Sequence, residues 1–497
     1  MLIVSDQHRA DAAGCYGSTV VKTPALDRLA ADGIRFDRAY CQSPLCAPSR
    51  GSMMTGTHCH TCAAYTQKTE VDRSRPTIGT VFRDGGYATG AFGKMHVVGE
   101  DERHDLGFSQ RGLRIFTKTV EHYGDVVPVE RMLKYWAEGA GEWDLKNYNP
   151  WNRPIEMADE DIFDQLVVNR SIEFLESCGT DPFCLFVGIE KPHPDWYAPK
   201  TFHDMYDPAA MPLPTNYNRA LEGVPASMSR RQDYLESHRH TEQEIRGCVA
   251  AYYANVSYVD FQVGRLLDTL DRLDLSRNTV VVYTSDHGET LFENGWVQKH
   301  CFLESAVRVP LVIRGPDVPA GAASGEIVSL VDLFPTFAEM AALPVPDGLE
   351  GESLIPLLRG DDGASAVEDE PRADGQRAAF SEYYWTSPPS RMVRTNRWKY
   401  IHTQEEIPQL YDMRNDRGET RNLADDPAFE SICDELRKRV MDGWEIPTLD
   451  IDLTAIESRY AGKAKWLRER QDGADGEPGR EDGLIEEGTS HPLPGTR

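Results

Sequence analysis

Short apolar runs that stop at polar clusters recur along this chain, with amphipathic stretches between them. Leu2 to Ser5 stops at Asp6-Gln7-His8-Arg9, and Tyr87 to Phe92 stops at Gly93-Lys94-Met95-His96. Phe183 to Ile189 stops at Glu190-Lys191-Pro192-His193-Pro194. The most strand-like run, Asn278 to Tyr283, leads into Thr284-Ser285-Asp286-His287-Gly288-Glu289. Leu311 to Arg314 is closed by Gly315-Pro316. Continuous runs of this kind, rich in β-branched and aromatic residues and bounded by turn residues, predict strands buried on both faces.

The intervening stretches carry helical spacing. Thr23 and Pro24 stand as N-cap and first helical residue, Leu26, Leu29 and Ala30 form an apolar face, and Gly33 ends the turn. Thr77 to Asp84 predicts a helix closed by Gly85-Gly86. Asp161 to Cys178 places Ile162, Leu166, Val167, Ile172 and Leu175 on one side. Residues 242–273 do the same with Ile245, Val249, Tyr252, Val256, Val259, Val263, Leu266 and Leu270. Strands alternating with helices predict an α/β fold, a large mostly parallel sheet sandwiched by helices. Polar clusters at strand ends are where such sheets bind ligands.

Residues 100–158 show no clear period and predict long loops with short helices, of the sort that shape a substrate pocket. A proline-rich loop is expected from Pro192 to about residue 240. The catalytic domain is expected to span 1–359, and the Asp, Glu, Gly and Ala stretch 360–378 to be a linker or exposed loop. Runs at 379–385, 391–394 and 398–401, with a helix around 427–443, predict a smaller C-terminal α+β domain over 379–445 with an antiparallel sheet. Residues 446–497 are expected to form an extended, partly disordered tail.

Composition narrows the function. The chain has 497 residues, 40% hydrophobic and 27% charged, which is globular. No apolar run reaches about 18 residues, so no membrane span is expected. The start lacks a basic segment and the roughly 7–15 apolar residues of a secretory core, so a cytoplasmic location is expected. A net charge of -27 argues against nucleic-acid or anionic-membrane partners. An anionic substrate would therefore need a locally positive site. The 10 cysteines are scattered and read as reduced thiols. The cluster His58-Cys59-His60-Thr61-Cys62 is too tightly spaced for a standard zinc site.

The candidate chemistry centres on Leu45 to Gly56, which contains Cys46-Ala47-Pro48-Ser49-Arg50 followed by Thr55-Gly56. This pattern resembles the signature of the type I, formylglycine-dependent sulfatases of the alkaline phosphatase superfamily. Phe36-Asp37-Arg38-Ala39-Tyr40 leads into it as in those enzymes. Gly93-Lys94-Met95-His96 is similar to their Gly-Lys-x-His, and Thr284 to Gly288 to their metal loop. Lys299 to Pro310 is similar to their Lys-x-x-x-x-Glu-x-x-x-Arg-Val-Pro segment. Leu410-Tyr411-Asp412 through Leu423 is similar to their C-terminal strand and turn, so the resemblance covers about residues 1–445. The motifs look most like choline-sulfatase and phosphonate monoester hydrolase relatives from bacteria.

The resemblance implies a sulfuric ester hydrolase whose Cys46 is oxidised to formylglycine by a formylglycine-generating enzyme, a required partner in maturation. One hydroxyl of the hydrated aldehyde attacks sulfur and expels the alcohol. The other then loses its proton, and C–O cleavage releases sulfate and restores the aldehyde. By resemblance, Asp6, Gln7, Cys46, Asp286 and His287 hold one divalent metal, with Ca²⁺ first and Mg²⁺ or Mn²⁺ as alternatives. Gln7 stands where many members have Asp, and His287 where some have Asn. Arg50 holds the formylglycine, His96 assists its deprotonation, Lys94 and Lys299 clamp sulfate oxygens, and His193 protonates the leaving oxygen.

The substrate stays open among choline, aryl and carbohydrate sulfate esters. Phosphonate monoester or phosphodiester hydrolysis on the same site is the alternative, and a metal-binding relative with unconverted Cys46 is a second. Tyr383, Tyr384, Trp385 and Trp398 suit either an aromatic cage for a quaternary ammonium or the core of the small domain, and the core is the stronger expectation.

Overall fold

A computed structural model of the chain describes residues 1–67, 69–97, 105–112, 154–155, 162–194, 196–235, 237, 240–359 and 377–446. Its strands are β1 (Leu2–Ser5), β2 (Ile34–Tyr40), β3 (Ala88–Gly93), β4 (Gln110–Gly112), β5 (Pro154–Ile155), β6 (Phe183–Gly188), β7 (Ala198–Pro199) and β8 (Val281–Ser285). They continue as β9 (Arg308–Val309), β10 (Leu311–Arg314), β11 (Ala322–Ser329), β12 (Ala379–Tyr383), β13 (Ser390–Arg394), β14 (Trp398–Thr403) and β15 (Gln409–Asp412).

The main sheet has nine strands in the order β11-β2-β10-β8-β1-β6-β3-β4, with β9 paired to β2. β1 lies between β8 and β6, parallel to both. β10 runs antiparallel to β8 and β2, so the sheet is mostly parallel, as expected. The two-residue period of a strand sends alternate side chains to opposite layers. Leu2, Val4, Phe186, Val282, Leu311 and Ile313 enter one core with Met53, Met54, Ile78, Phe82 and Phe334. Ile3, Val187, Val281, Tyr283 and Val312 enter the other with Leu26, Leu29, Val167, Leu175, Val259, Val263 and Leu266. Each such aliphatic side chain contributes about 1.5–3 kcal/mol on burial. This two-sided burial is why the strands read as unbroken apolar runs.

Several details differ from the sequence reading. β2 and β11 leave no clear pattern: β2 interleaves Arg35, Asp37 and Arg38, and β11 is built largely of small and polar residues. They pair parallel to each other at the sheet edge, where one polar side is tolerated. β8 starts at Val281, because Ser276–Asn278 forms a 3-10 turn, and it runs on to Ser285 so that Asp286 follows directly. Within the expected loop before residue 240, Ala226–Leu235 is a helix, formed once the prolines stop at Pro225. The helix Pro24–Ala31 begins as expected, but Thr23 does not cap it. Asp260 of the long helix Glu242–Arg272 instead accepts from the N–H groups of Ala25 and Leu26, at 3.1 and 2.8 Å.

The C-terminal sheet is antiparallel in the order β12-β13-β14-β15. The helix Glu430–Met441 covers it, with Leu436 and Val440 packed on Val393, Trp398, Tyr400 and Leu410. Its aromatic residues divide between sites: Trp398 meets Phe429 in this core, Tyr384 packs with Cys59 and Trp444 in another, and Tyr383 and Trp385 both contact His300. Residues 360–376 of the expected linker 360–378, most of the loop region 100–158 and the tail from 447 lie outside the described residues. Among the described residues no helix is long and apolar enough to cross a membrane.

Candidate active site

The carboxyl ends of neighbouring strands deliver the polar groups to one place. β1 gives Asp6 and Gln7, β8 gives Asp286 and His287, β3 gives Lys94 and His96, and β6 gives His193. Gly93 makes the β3 exit tight. Its φ is 89°, and an added Cβ would lie 2.0 Å from the Gly188 carbonyl, which accepts the Lys94 N–H at 2.8 Å. The signature itself is a helix, Cys46–Thr55, whose every residue is buried. Cys46 is its first residue, at the positive end of the helix dipole. Gly56, at φ 65°, ends it.

The geometry joins these pieces around position 46. Lys299 Nζ donates to Cys46 Sγ at 3.0 Å, and His287 Nε2 lies 3.2 Å from the same sulfur. Asp6 Oδ1 is 3.7 Å away. His193 favours the ionised form of this thiol, and Cys46 in turn favours the protonated form of His96. Arg50 places Nε 2.7 Å from Asp286 Oδ2 and Nη2 3.3 Å from Asp6 Oδ2, and its Nη1 donates to the Lys94 carbonyl at 2.5 Å. Lys94 Nζ sits 2.9 Å from Asp6 Oδ2. Asp6, Arg50, Lys94, Asp286 and His287 are all fully buried. Breaking one such buried pair costs about 3–5 kcal/mol, so these side chains hold one another in place.

The electrostatics follow from the contacts. Burial pushes the Cys46 thiol up, but Lys299, Lys94 and His287 together outweigh it and hold it well below its ordinary value. Burial opposes the charge on Lys94, yet Asp6 and Cys46 raise it. Burial likewise opposes Lys299, and the same two partners raise it. Burial lowers His96. The centre is thus locally cationic within a chain of net charge -27, which is what an anionic substrate requires.

The residues also fit a divalent cation. Arg50 and Lys94 engage Asp6 Oδ2 and Arg50 engages Asp286 Oδ2, while the other oxygens, of which Asp286 Oδ1 also accepts the N–H groups of Gln7 and His287, lie 3.8 and 3.7 Å from His287 Nε2. Ligand atoms of Asp6, Cys46, Asp286 and His287 lie within 4.8 Å of one another. His287 Nδ1 faces the Gly288 carbonyl at 2.9 Å, which turns Nε2 towards the group. Gln7 Oε1 is buried and has no hydrogen-bond partner among the described residues, the condition expected of a cation ligand. Gln7 holds a left-handed φ of 68°, fixed by its N–H to Asp286 Oδ1 at 3.1 Å and by Tyr252, whose hydroxyl donates to its carbonyl at 2.8 Å. Hard oxygen donors with one imidazole suit Ca²⁺, Mg²⁺ or Mn²⁺.

All the site residues expected from sequence therefore come together. The tight cluster at 58–62 does something else: His60 Nδ1 meets Glu382 Oε1 of β12 at 2.7 Å and ties the small sheet to the large one. His8 and Arg9 are buried in structural contacts, with Tyr283 and Ala12 for the first and Asp11 and Glu293 for the second. Two further residues near the centre escape sequence reasoning. Ser49 Oγ donates to the Asp286 carbonyl at 2.5 Å, and Glu289 contacts the Gln7 amide. Both lie inside the motifs quoted above, but a side chain that acts through another leaves no spacing signal of its own.

The comparisons agree with this geometry. The family model described as Sulfatase matches residues 1–343, and that for the C-terminal part of N-sulphoglucosamine sulphohydrolase matches residues 292–445. A choline-sulfatase of Rhizobium meliloti is 31% identical over 415 residues, covering 81% of this chain and 78% of that protein. An N-acetylglucosamine-6-O-sulfatase of Bacteroides thetaiotaomicron is 25% identical over 492 residues, covering 85% and 82%. The solved phosphonate monoester hydrolase of Agrobacterium radiobacter superposes with a TM-score of 0.72 over 92% of this chain and 95% of that one, at 22% identity, and so shares the fold. The buried cationic centre around Cys46 and the span of these matches lead to one conclusion: the chain belongs to the sulfatase family and hydrolyses sulfate esters.

Proposed function

We propose that this sulfatase cleaves the sulfate monoester of a hydroxylated small molecule or carbohydrate, with formylglycine made from Cys46 as nucleophile. The observation that carries the reading is the position of Cys46 Sγ, 3.0 Å from Lys299 Nζ, 3.2 Å from His287 Nε2 and 3.7 Å from Asp6 Oδ1. That sulfur stands in for the oxygens that a hydrated aldehyde would carry on the same Cβ. A divalent cation held by Asp6, Gln7, Asp286 and His287 would neutralise sulfate oxygens and polarise the S–O bond.

The remaining roles belong to the chain's own side chains. Arg50 locks Asp6 and Asp286 at the orientation that leaves one oxygen of each facing inward. Lys299 and Lys94 supply cationic donors where charge develops on the transferring sulfate. His96, kept neutral by burial, takes a proton from the nucleophile. As a diol oxygen bonds to sulfur, the S–O bond to the alcohol breaks. His193 donates the proton that the departing oxygen needs. Its Nδ1 is engaged with the Pro194 carbonyl at 2.5 Å, which leaves Nε2 for this task. Loss of the second hydroxyl proton then breaks the Cβ–O bond, releases sulfate and restores the aldehyde.

A cavity lined by Arg231, Trp296, His300, Tyr383 and Gln409 begins one residue beyond Lys299 and would seat the alcohol. Its lining offers donors and acceptors, as a hydroxylated sugar requires, and the name of the N-acetylglucosamine-6-O-sulfatase supports the same reading. The test is a comparison of kcat/KM for N-acetylglucosamine 6-sulfate, choline sulfate, an aryl sulfate and an aryl phosphonate monoester. The sugar sulfate is expected to lead and the phosphonate to trail the sulfates. A phosphonate that outperforms every sulfate would contradict the proposal.

A further inference from the structure

Glu289 is fully buried, touches no candidate sulfate-binding group, and has a donor on each carboxylate oxygen. Oε1 accepts from the N–H groups of Leu291 at 2.8 Å and Gln298 at 2.6 Å. Oε2 receives the Gln7 side-chain Nε2. The consequence is geometric. A carboxamide has a donor end and an acceptor end, and a carboxylate only accepts. Glu289 therefore fixes which end of Gln7 faces it, and the opposite end, Oε1, is the buried oxygen with no hydrogen-bond partner among the described residues. Where an Asp would offer equivalent oxygens in either orientation, Gln needs this partner. Turned over, it would present N–H donors to a cation.

We infer that Glu289 is a positioning residue that sets the Gln7 carboxamide so that Oε1 is available as a metal ligand. An amide at a ligand position requires such a partner, which explains a buried acid that the catalytic cycle does not use. The same side chain anchors Gln298, one residue before Lys299, so the metal side and the cationic side share one support. The inference rests on the metal reading given above.

Glu289→Gln tests it with little disturbance. The variant keeps an oxygen for Leu291 and Gln298 but turns a donor towards Gln7, which must flip to meet it. The readout is Ca²⁺ affinity by isothermal titration calorimetry on the full-length chain, with circular dichroism confirming the fold. Loss of an outer partner of this kind is expected to weaken Ca²⁺ by about 10–100-fold. The decisive variant is the swap Gln7→Glu with Glu289→Gln. In the swap, the amide introduced at position 289 donates to one oxygen of the carboxylate introduced at position 7. The other oxygen of that carboxylate is left for the cation, so the swap is expected to recover most of the lost affinity. A scaffold role alone would give no such rescue.

An unchanged affinity in Glu289→Gln, as a protonated Glu289 would give, overturns the inference. So does a folded swap that binds as weakly as the single variant. If Glu289→Gln alone does not fold, the swap still decides, and failure of both to fold makes Glu289 a general scaffold residue and overturns the inference too. Asp286→Asn separates this from the metal reading. If the unaltered protein binds no Ca²⁺, or Asp286→Asn binds it equally well, the metal reading itself has failed.

Discussion

Two buried ionic clusters in this molecule use the same residue types to opposite ends. At the strand ends, Asp6 and Asp286 meet Arg50, Lys94 and Lys299 around Cys46. Between the two sheets, Glu304 and Glu419 meet Lys399 and Arg394. Lys399 Nζ lies 2.8 Å from Glu304 Oε1 and 2.7 Å from Glu419 Oε1, and Arg394 Nε lies 3.4 Å from Glu304. Tyr40 of β2 donates to Glu304 Oε2 at 2.9 Å, and the Glu304 N–H to Glu419 Oε2 at 2.6 Å. The second cluster is closed, with Lys399 facing both acids and Arg394 facing Glu304 across the junction of large and small sheets. The first is open. It has more cations than carboxylates, a thiol whose acidity those cations raise, and an amide oxygen with no partner among the described residues. Buried charge by itself does not mark chemistry. Charges whose remaining atoms converge on one shared point do.

The contrast can be broken most strongly at its centre. Cys46→Ser keeps a hydroxyl but cannot release sulfate through an aldehyde, so turnover of sulfate esters is expected to fall by on the order of 10³-fold or more. The melting temperature should stay near that of the unaltered protein, and sulfate should remain bound to the protein in a single-turnover mass measurement. Next, Lys299→Ala removes one cation from the open cluster. Its kcat is expected to fall by about 10²–10³-fold, read in steady-state kinetics on an aryl sulfate.

Lys399→Met, in the closed cluster, should reverse the pattern. Leaving Glu304 and Glu419 buried without their lysine is expected to cost about 3–5 kcal/mol of stability, measured by denaturant unfolding, while kcat per folded molecule holds within a few-fold. A larger loss of kcat than of stability would erase the distinction between the clusters.

The smallest effect concerns a buried acid with only backbone donors, Asp260. Burial raises its pKa from 3.8 to about 7. The folded state therefore holds a proton that the unfolded state has lost between these values, and stability from this group declines as pH rises from about 4 to 7. The melting temperature of the unaltered protein minus that of Asp260→Asn should accordingly decrease over this range, and a flat or rising difference would contradict it.

The fold is legible in the sequence where burial is two-sided. β1, β3, β6 and β8 read as apolar runs because helices cover both faces of the sheet. The edge strand β11 and its neighbour β2 are not legible, since polar residues break the run without giving clean alternation. The site is legible through motifs at strand ends and through the Cys46 pattern, where spacing is fixed by contact with a common centre. What stays hidden acts at second hand. Nothing in the sequence distinguishes Glu289, which orients Gln7, from Glu293, which pairs with Arg9. The helical nature of Cys46 to Thr55 is hidden too, because the segment carries no separate apolar face: every side of it is buried.

The account rests on the state of position 46, and the most direct measurement is the mass of the tryptic peptide Ala39 to Arg50 from enzyme that turns over a sulfate ester. The expected peptide carries an aldehyde in place of the thiol, in a fraction that tracks specific activity across preparations made with and without a formylglycine-generating enzyme. Full activity in a preparation whose peptide carries only the thiol would contradict it.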